Sequence, residues 1–492
     1  MYTSFLADPN WERLGFEMPP DQTNAGKGIG IVITDTAIHH PLIQHLAGRL
    51  KRVTVSEDLS VNCVDIILEE PQESSPYPSY AEHGMMSLFL LSHLPFEVNG
   101  KKYVGLVPNA TFIMIDSHDP VQLKKGMEWI MERREEWNIK IVINLQIIGG
   151  DPSIRPTCDE PLVQAMKPAL YSGVLVIQAN GNSPAINSNS PIDFFAIGGS
   201  DDHGQANNMK KPYPQATIGM NGDGHFRPDI LAPFTYLPAP YYHARETDLY
   251  TPYYNPAVSN VKVSYFGGTC GSATLIGGVC AYILAKYPKL TVDELRAALI
   301  HFGTPLGNNQ QLLPMVNVAK TLHAIETEQL IPSVPSSLKK SLRHESLIKE
   351  LKRGIELTKL IEQKSISREE LWKFVDDPSP YVQKVAIWGL HKPSDNRERA
   401  LAWKYFYNLK DDRLGVREAW SYMLLFGAIK EELNQWMRVV TDSSTDVRHC
   451  VKHFLAQYYP EAPSLEHTPD TNKEVIQMIA DPVLRWYKSL II

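Results

Sequence analysis

At 492 residues, with 43% hydrophobic and 21% charged residues, the chain is long enough to bury two or more cores. Its net charge of −7 speaks against a nucleic-acid or anionic-membrane binder, and no apolar run reaches the length of a membrane span. Residues 1–13 carry no basic segment followed by an apolar one, so no secretory signal is visible. Five cysteines (Cys63, Cys158, Cys270, Cys280, Cys450) are few, widely spaced and odd in number, which suggests neither a disulfide framework nor a CxxC metal site. The expectation is a cytoplasmic protein whose thiols stay reduced.

Residues 1–325 alternate short apolar runs with helix-length segments. Strands are expected over 28–34, 110–115, 139–148, 174–179 and 194–197, and helices over 82–94 and 121–137. A weaker helix is expected over 162–172, where Pro168 would kink it. Short apolar strands with intervening helices indicate parallel strands and crossover helices, hence a doubly wound α/β domain. Residues 186–254, rich in Asn, Pro and Tyr, are read as long loops around a cleft, with Tyr241, Tyr242 and His243 as surface or pocket residues. Residues 272–286 are apolar nearly all round, with Gly277, Gly278, Ala281 and Ala285 along them; about fifteen residues are too short for a bilayer and suit a buried central helix.

Residues 326–346, with Pro332, Pro335 and several serines and lysines, read as a linker. Over 347–492 helical periodicity dominates and a weak repeat recurs. It runs Asp377-Pro378-Ser379-Pro380-Tyr381-Val382, then Asp412-Arg413-Leu414-Gly415-Val416-Arg417, then Asp442-Ser443-Ser444-Thr445-Asp446-Val447-Arg448, with Asp481-Pro482-Val483 as a possible fourth unit. An Asp-rich turn followed by a valine opening an apolar helix resembles HEAT-like repeats, which bury their faces only against neighbouring units. An irregular helical bundle is the alternative.

A hydrolase with a side-chain nucleophile needs a base within hydrogen-bond reach, an acid behind the base, and donors for the oxyanion. Asp35 directly follows the strand at 28–34, at the carboxyl edge where open α/β sheets bind ligands. His83 precedes Gly84 and opens a helical segment. Cys270 lies at a Gly-rich turn before the buried helix, where the positive end of the dipole favours a thiolate. Asn182 follows the strand at 174–179 and offers an amide donor to the same edge. Each residue alone fits a turn, a cap or a small core position; the order and spacing of the four carry the reading.

That order resembles the subtilisin-like peptidase (subtilase) family. Gly28-Ile29-Gly30-Ile31-Val32-Ile33-Thr34-Asp35 is similar to the family's aspartate motif and Glu82-His83-Gly84 to its histidine motif. Gly105-Leu106-Val107-Pro108-Asn109-Ala110, Val142-Ile143-Asn144-Leu145, Ala179-Asn180-Gly181-Asn182 and Arg227-Pro228-Asp229-Ile230-Leu231-Ala232-Pro233 resemble further family stretches. Gly268-Thr269-Cys270 stands where the family has Gly-Thr-Ser. The resemblance spans roughly residues 10–310 and implies a subtilisin-like doubly wound parallel sheet followed by an all-α helical-repeat domain. The departures concentrate at the nucleophile: Cys270 replaces serine, Gly271 replaces methionine, Ala273-Thr274-Leu275 replaces Ser-Pro-His, and Met86 replaces the second histidine. Gln146-Ile147-Ile148 stands at Ser-Leu-Gly.

The resemblance implies an endopeptidase in which Cys270 attacks, His83 moves the proton, Asp35 orients His83 and Asn182 holds the oxyanion. Two readings stay beside it: a degenerate, catalytically inactive site that binds peptides, and a scaffold whose function lies in the helical repeats. The implied partner is a protein or precursor peptide recruited by the C-terminal repeats, with no nucleic acid and no membrane. Calcium often stabilises secreted members of the family, but no Asp/Asn loop here has ligand spacing, and no zinc or nucleotide motif is present, so no cofactor or metal is expected. About thirty residues precede the first strand, too few for the long propeptide of secreted relatives.

Overall fold

Strands read from apolar runs form because both of their faces are covered. β1 (Gly30–Ile33) is buried at every position, with Ile31 and Ile33 in one layer of the core and Val32 in the other. This is the two-faced burial expected of parallel strands under crossover helices. The computed structural model describes residues 6–68, 78–208, 210–240, 257–258, 261–306, 313–329, 345–409, 415–465 and 473–491. Tyr241, Tyr242 and His243, and residues 330–344 of the expected linker, lie outside the described residues.

Ten strands follow one path and an eleventh pairs off it. They are β1, β2 (Leu50–Val55), β3 (Val61–Asp65), β4 (Thr111–Asp116), β5 (Ile139–Asn144), β6 (Leu175–Ala179), β7 (Phe195–Asp201), β8 (Lys211–Pro212), β9 (Ile230–Pro233), β10 (Thr304–Leu306) and β11 (Leu313–Met315). Their order is β10-β11-β9-β7-β6-β5-β1-β4-β2-β3, with β8 antiparallel to β7. Pairing is parallel from β11 through to β2; β3 and β10 close the edges antiparallel. The doubly wound sheet is therefore present, with β2, β3, β8, β9, β10 and β11 added to the strands expected. β9 lies within the stretch read as loops and is fully buried.

Helices cover both faces. After the single turn α1 (Asn10–Arg13) come α2 (Pro78–Ser92), α3 (Pro120–Met131), α4 (Pro161–Tyr171), α5 (Gly268–Lys286), α6 (Val292–His301) and α7 (Val318–Glu326). Leu123, Met127 and Ile130 of α3 and Val163, Met166 and Ala169 of α4 pack on the Val32 face; α2 and α5 cover the other. Asp119 caps α3 through its carboxylate and Pro120 takes the first helical position. α4 runs through Pro168 as one helix. α5 begins four residues earlier than its apolar periodicity suggests and is 19 residues long. By length and composition it is long and apolar enough to cross a membrane, contrary to the expectation from 272–286, yet 83% of its apolar window is buried in the protein core.

The remaining helices are α8 (Glu345–Glu362), α9 (Arg368–Phe374), α10 (Pro380–Leu390), α11 (Asn396–Asn408), α12 (Val416–Phe426), α13 (Leu433–Met437), α14 (Thr445–Tyr458) and α15 (Lys473–Ile491). α10 packs on α12, and α12 on α14. Val382, Val416 and Val447 sit near the starts of these three helices and are buried. Two of the Asp-rich turns repeat one device: Asp377 and Asp442 each accept a backbone N–H two residues on, from Ser379 and Ser444, and pair with Arg353 and Arg417. Asp481-Pro482-Val483 falls inside α15, not at a helix start, so it does not repeat the turn. One apolar cluster contains these helices together with Ile154, Ala185 and Met220 from the sheet-bearing region, so the two regions share a buried seam.

Candidate active site

Parallel pairing brings three strand ends to one edge. Ile33 of β1 is in register with Ile143 of β5, and Asn144 of β5 with Gln178 of β6, so Asp35, Leu145 and the turn 180–182 emerge side by side. A buried polar network ties these ends together. Thr34 Oγ1 donates to Asn144 Oδ1 at 2.9 Å and accepts from the Leu145 N–H at 2.9 Å. Asn144 Nδ2 donates to Gln178 Oε1 at 2.6 Å, and Gln178 Nε2 to the Gln146 carbonyl at 2.8 Å. Each buried polar group here finds a partner, which makes the edge rigid. Thr34 stands inside the aspartate motif with no role of its own readable there, and Gln178 carries no signal beyond being a polar residue near the end of an apolar run.

Asp35 is buried; its Oδ1 accepts the Thr36 N–H at 2.8 Å and its Oδ2 lies 2.5 Å from His83 Nδ1. The approach of α2 to this turn depends on Gly84. A Cβ there would stand 1.7 Å from the Thr36 carbonyl oxygen, so only glycine lets His83 reach Asp35. The His83 ring also meets Phe266 edge to face, with centroids 5.0 Å apart. Its remaining face bonds the Cys270 side chain. Burial by itself would lower the imidazole's proton affinity; the Asp35 carboxylate, aided by Cys270, overrides this and holds it well above the ordinary 6.5.

Cys270 is the third residue of α5 and 8% exposed, so it belongs to the first helical turn and not to a turn before it. Its Sγ is 3.5 Å from the Leu145 carbonyl. The first amides of a helix have no intrahelical acceptor. Here the Gly268 N–H goes to the Phe234 carbonyl at 3.0 Å and the Thr269 N–H to Asn182 Oδ1 at 2.7 Å, while the Cys270 N–H has no acceptor among the described residues. Thr269 Oγ1 also donates to Asn182 Oδ1, at 2.8 Å, and accepts the Gly181 N–H at 3.1 Å. With its oxygen held twice, Asn182 turns its Nδ2 away from Thr269, and that nitrogen too has no acceptor among the described residues. Ser272, two residues on, is committed elsewhere: it donates to the Pro233 carbonyl at 2.9 Å.

The four residues singled out by sequence thus lie at one edge: an acid–imidazole–thiol chain, with Asn182 bonded through its oxygen to Thr269, the residue before Cys270. Among the described residues no three His, Cys, Asp or Glu side chains converge as a metal site.

Such a chain at the carboxyl edge of this sheet is the arrangement of a subtilisin-like hydrolase. The chain belongs to the subtilase family, whose model matches residues 26–314, and that stretch is a subtilisin-like peptidase domain. Serine protease AprX of Bacillus subtilis (strain 168) is 26% identical over 300 residues, covering 56% of this chain and 62% of the relative. The chain therefore spans less than two thirds of that relative's length. Among solved structures, fervidolysin from Fervidobacterium pennivorans, a keratinolytic enzyme related to subtilisin, is similar at 15% identity and TM-score 0.44, over 63% of this chain and 44% of its own. A serine-to-alanine mutant of the protease domain of PatA is similar at 18% identity and TM-score 0.42, over 64% and 98%. The prenylagaramide maturation protease PagA is similar at 17% identity and TM-score 0.41, over 64% and 98%.

Proposed function

We propose that this protein is an endopeptidase that uses Cys270 as its nucleophile. The observation that carries the reading is the hydrogen-bonded run Asp35–His83–Cys270, with the Cys270 N–H and Asn182 Nδ2 unclaimed among the described residues. In the proposed reaction His83 takes the thiol proton while Sγ bonds to the substrate carbonyl carbon. The carbonyl oxygen gains negative charge and accepts hydrogen bonds from Asn182 Nδ2 and the Cys270 N–H. His83 then returns the proton to the leaving amine as the C–N bond breaks, leaving a thioester on Cys270. Water, deprotonated by His83, hydrolyses the thioester and restores the thiol. The raised proton affinity of His83 suits it to draw the proton from a thiol, as in other Cys–His pairs.

A non-cutting peptide binder is the second reading, and one contact favours it: a Cys270 thiol donating to the Leu145 carbonyl holds its proton away from His83. The two readings separate when wild type and Cys270→Ala are each incubated with a proteome-derived peptide library and new N-termini are read by mass spectrometry. Cysteine catalysis gives new termini with wild type and none with the alanine variant. Identical profiles for the two proteins reject it.

We read the chain as a peptidase domain over 1–325, a linker over 326–346 and HEAT-like repeats over 347–492, working in the cytoplasm on a protein or precursor peptide that the repeats recruit. A cavity of about 490 Å³ supports recruitment, because both regions line it: Ser183 and Ile186 follow Asn182, and Trp388, Met423 and Phe426 come from α10 and α12. A substrate segment whose carbonyl sits at Asn182 is thereby led against an aromatic and apolar wall. Trp388→Ala is the test, since it leaves the proposed catalytic groups in place.

A further inference from the structure

The segment that leaves Asn182 is held by the helical region at three points. Lys384 of α10, 3% exposed, donates from Nζ to the Pro184 carbonyl at 3.2 Å and the Ile186 carbonyl at 3.1 Å. Ser183 Oγ donates to the Asp446 carboxylate of α14 at 2.5 Å, and Asp446 also accepts from Tyr422 at 3.2 Å. Gly415, at φ +82°, lets the chain before α12 press on the same loop, for a Cβ there would stand 1.6 Å from the Pro184 oxygen. Ala185 is buried in the helical region's apolar cluster. On its other side the loop meets Thr217, whose Oγ1 donates to the Ser183 carbonyl at 2.6 Å.

We propose that Lys384 and Asp446 are positioning residues for Asn182, so that the helical region completes the oxyanion site of the peptidase domain. This rests on the reading of Asn182 as an oxyanion donor. A side-chain amide is effective only when fixed where the charge develops, and a displacement of about 1 Å is worth on the order of a hundredfold in rate. Thr269 fixes the Asn182 oxygen, while the backbone beyond it is set from across the seam, by residues about 200 and 263 positions away. Burying these groups is costly. Desolvation drives Lys384 down to about 7, against the pull of Glu418, and drives Asp446 up to about 7, with the Ser183 hydrogen bond opposing. Apolar packing would seal the seam without that cost, and what the polar groups add is a fixed position for the Ser183 side chain and the Pro184 and Ile186 carbonyls.

Two reactions of Cys270 separate positioning from general damage. Acetylation by p-nitrophenyl acetate forms an S–C bond, expels p-nitrophenolate, passes the thiol proton to His83 and builds an oxyanion on the way. Alkylation by iodoacetamide expels iodide and builds none. Both are read at Cys270 by peptide mass spectrometry on the full chain. Lys384→Met is expected to slow acetylation roughly tenfold to a hundredfold and alkylation less than about twofold. Ser183→Ala, a smaller change, is expected to act in the same sense. Adding Lys384→Met to Asn182→Ala is expected to cost nothing further. Equal slowing of both reactions, no slowing of either, or effects of Lys384→Met and Asn182→Ala that multiply overturns the proposal. A wild-type Cys270 that alkylates but acetylates no faster than in Asn182→Ala removes the oxyanion role of Asn182. One that does neither removes the nucleophile itself.

Discussion

Asp35 Oδ2 lies 2.5 Å from His83 Nδ1, and this contact decides which nitrogen of the ring is left for Cys270. A carboxylate behind Nδ1 fixes the tautomer and stabilises the imidazolium. Asp35→Asn keeps the shape but removes the charge and the forced tautomer. Peptide cleavage is expected to fall roughly a hundredfold to ten-thousandfold in kcat, with KM little changed. A loss confined to KM contradicts the orienting role.

The same pair links stability to pH. His83 is held well above its ordinary 6.5 in the native state, so folding takes up a proton between the two values. Its contribution is complete below about 6.5, the unfolded value, and is lost as pH rises through the raised native one. The stability gap between wild type and His83→Gln, from urea midpoints, is expected to be widest near about pH 6 and to shrink in alkali. A gap that widens with pH contradicts it.

Gly84→Ala places a methyl group against the Thr36 carbonyl, where the ideal Cβ position is only 1.7 Å away. α2 must withdraw. We expect a loss of about 1–3 kcal/mol in chemical unfolding, and alkylation of Cys270 reduced to the rate of a His83→Ala variant. Unchanged alkylation shows that the close approach does not set the His83 position.

Cys270→Ser tests whether the site is tuned for sulfur. A hydroxyl is a far weaker acid than a thiol, and His83, whose proton affinity is raised, accepts its proton only when the ring is neutral, a form that grows with pH. The serine variant is therefore expected to lose at least about tenfold in activity at neutral pH and to recover part of it as pH rises. Activity equal to wild type at pH 7 contradicts a thiol-adapted site.

Much of this site is legible in the sequence, because each proposed catalytic group ends an apolar run or opens a helix at the carboxyl edge of a parallel sheet. What was not legible has physical reasons. β2 and β3 do not show in the sequence because Lys51, Arg52 and Asn62 interrupt their apolar pattern, as suits strands near an edge with one face partly exposed. β9 ends in Pro233 and lies in a proline-rich stretch that reads as loop, yet all four of its residues are buried. Glycines at 267, 268 and 271 disguised the first turn of α5, so Cys270 was placed before the helix that contains it. The clasp on the loop after Asn182 joins Ser183 to Asp446 across 263 positions, and no periodicity or motif connects two such residues. Nor did the repeat pattern show that its helices would share a core with Ala185 and Met220.

Trp388 lines the cavity between α10, α12 and the loop that follows Asn182. Trp388→Ala is expected to raise KM for cleaved peptides roughly fivefold to a hundredfold and change which library peptides are cut, with kcat nearly kept. Removing an aromatic wall costs binding on the order of 1–3 kcal/mol. An unchanged cleavage profile sinks recruitment through this cavity.

The most direct measurement is the rate of iodoacetamide alkylation at Cys270 relative to Cys158 in the same molecule, near neutral pH, in wild type and in His83→Ala. Cys158 is exposed, and slight desolvation and the neighbouring Asp159 push its thiol up, so it serves as an unactivated internal reference. A nucleophile paired with His83 reacts faster than Cys158 despite being 8% exposed, and loses that lead in the alanine variant. A Cys270 that lags behind Cys158 in both proteins contradicts the cysteine peptidase.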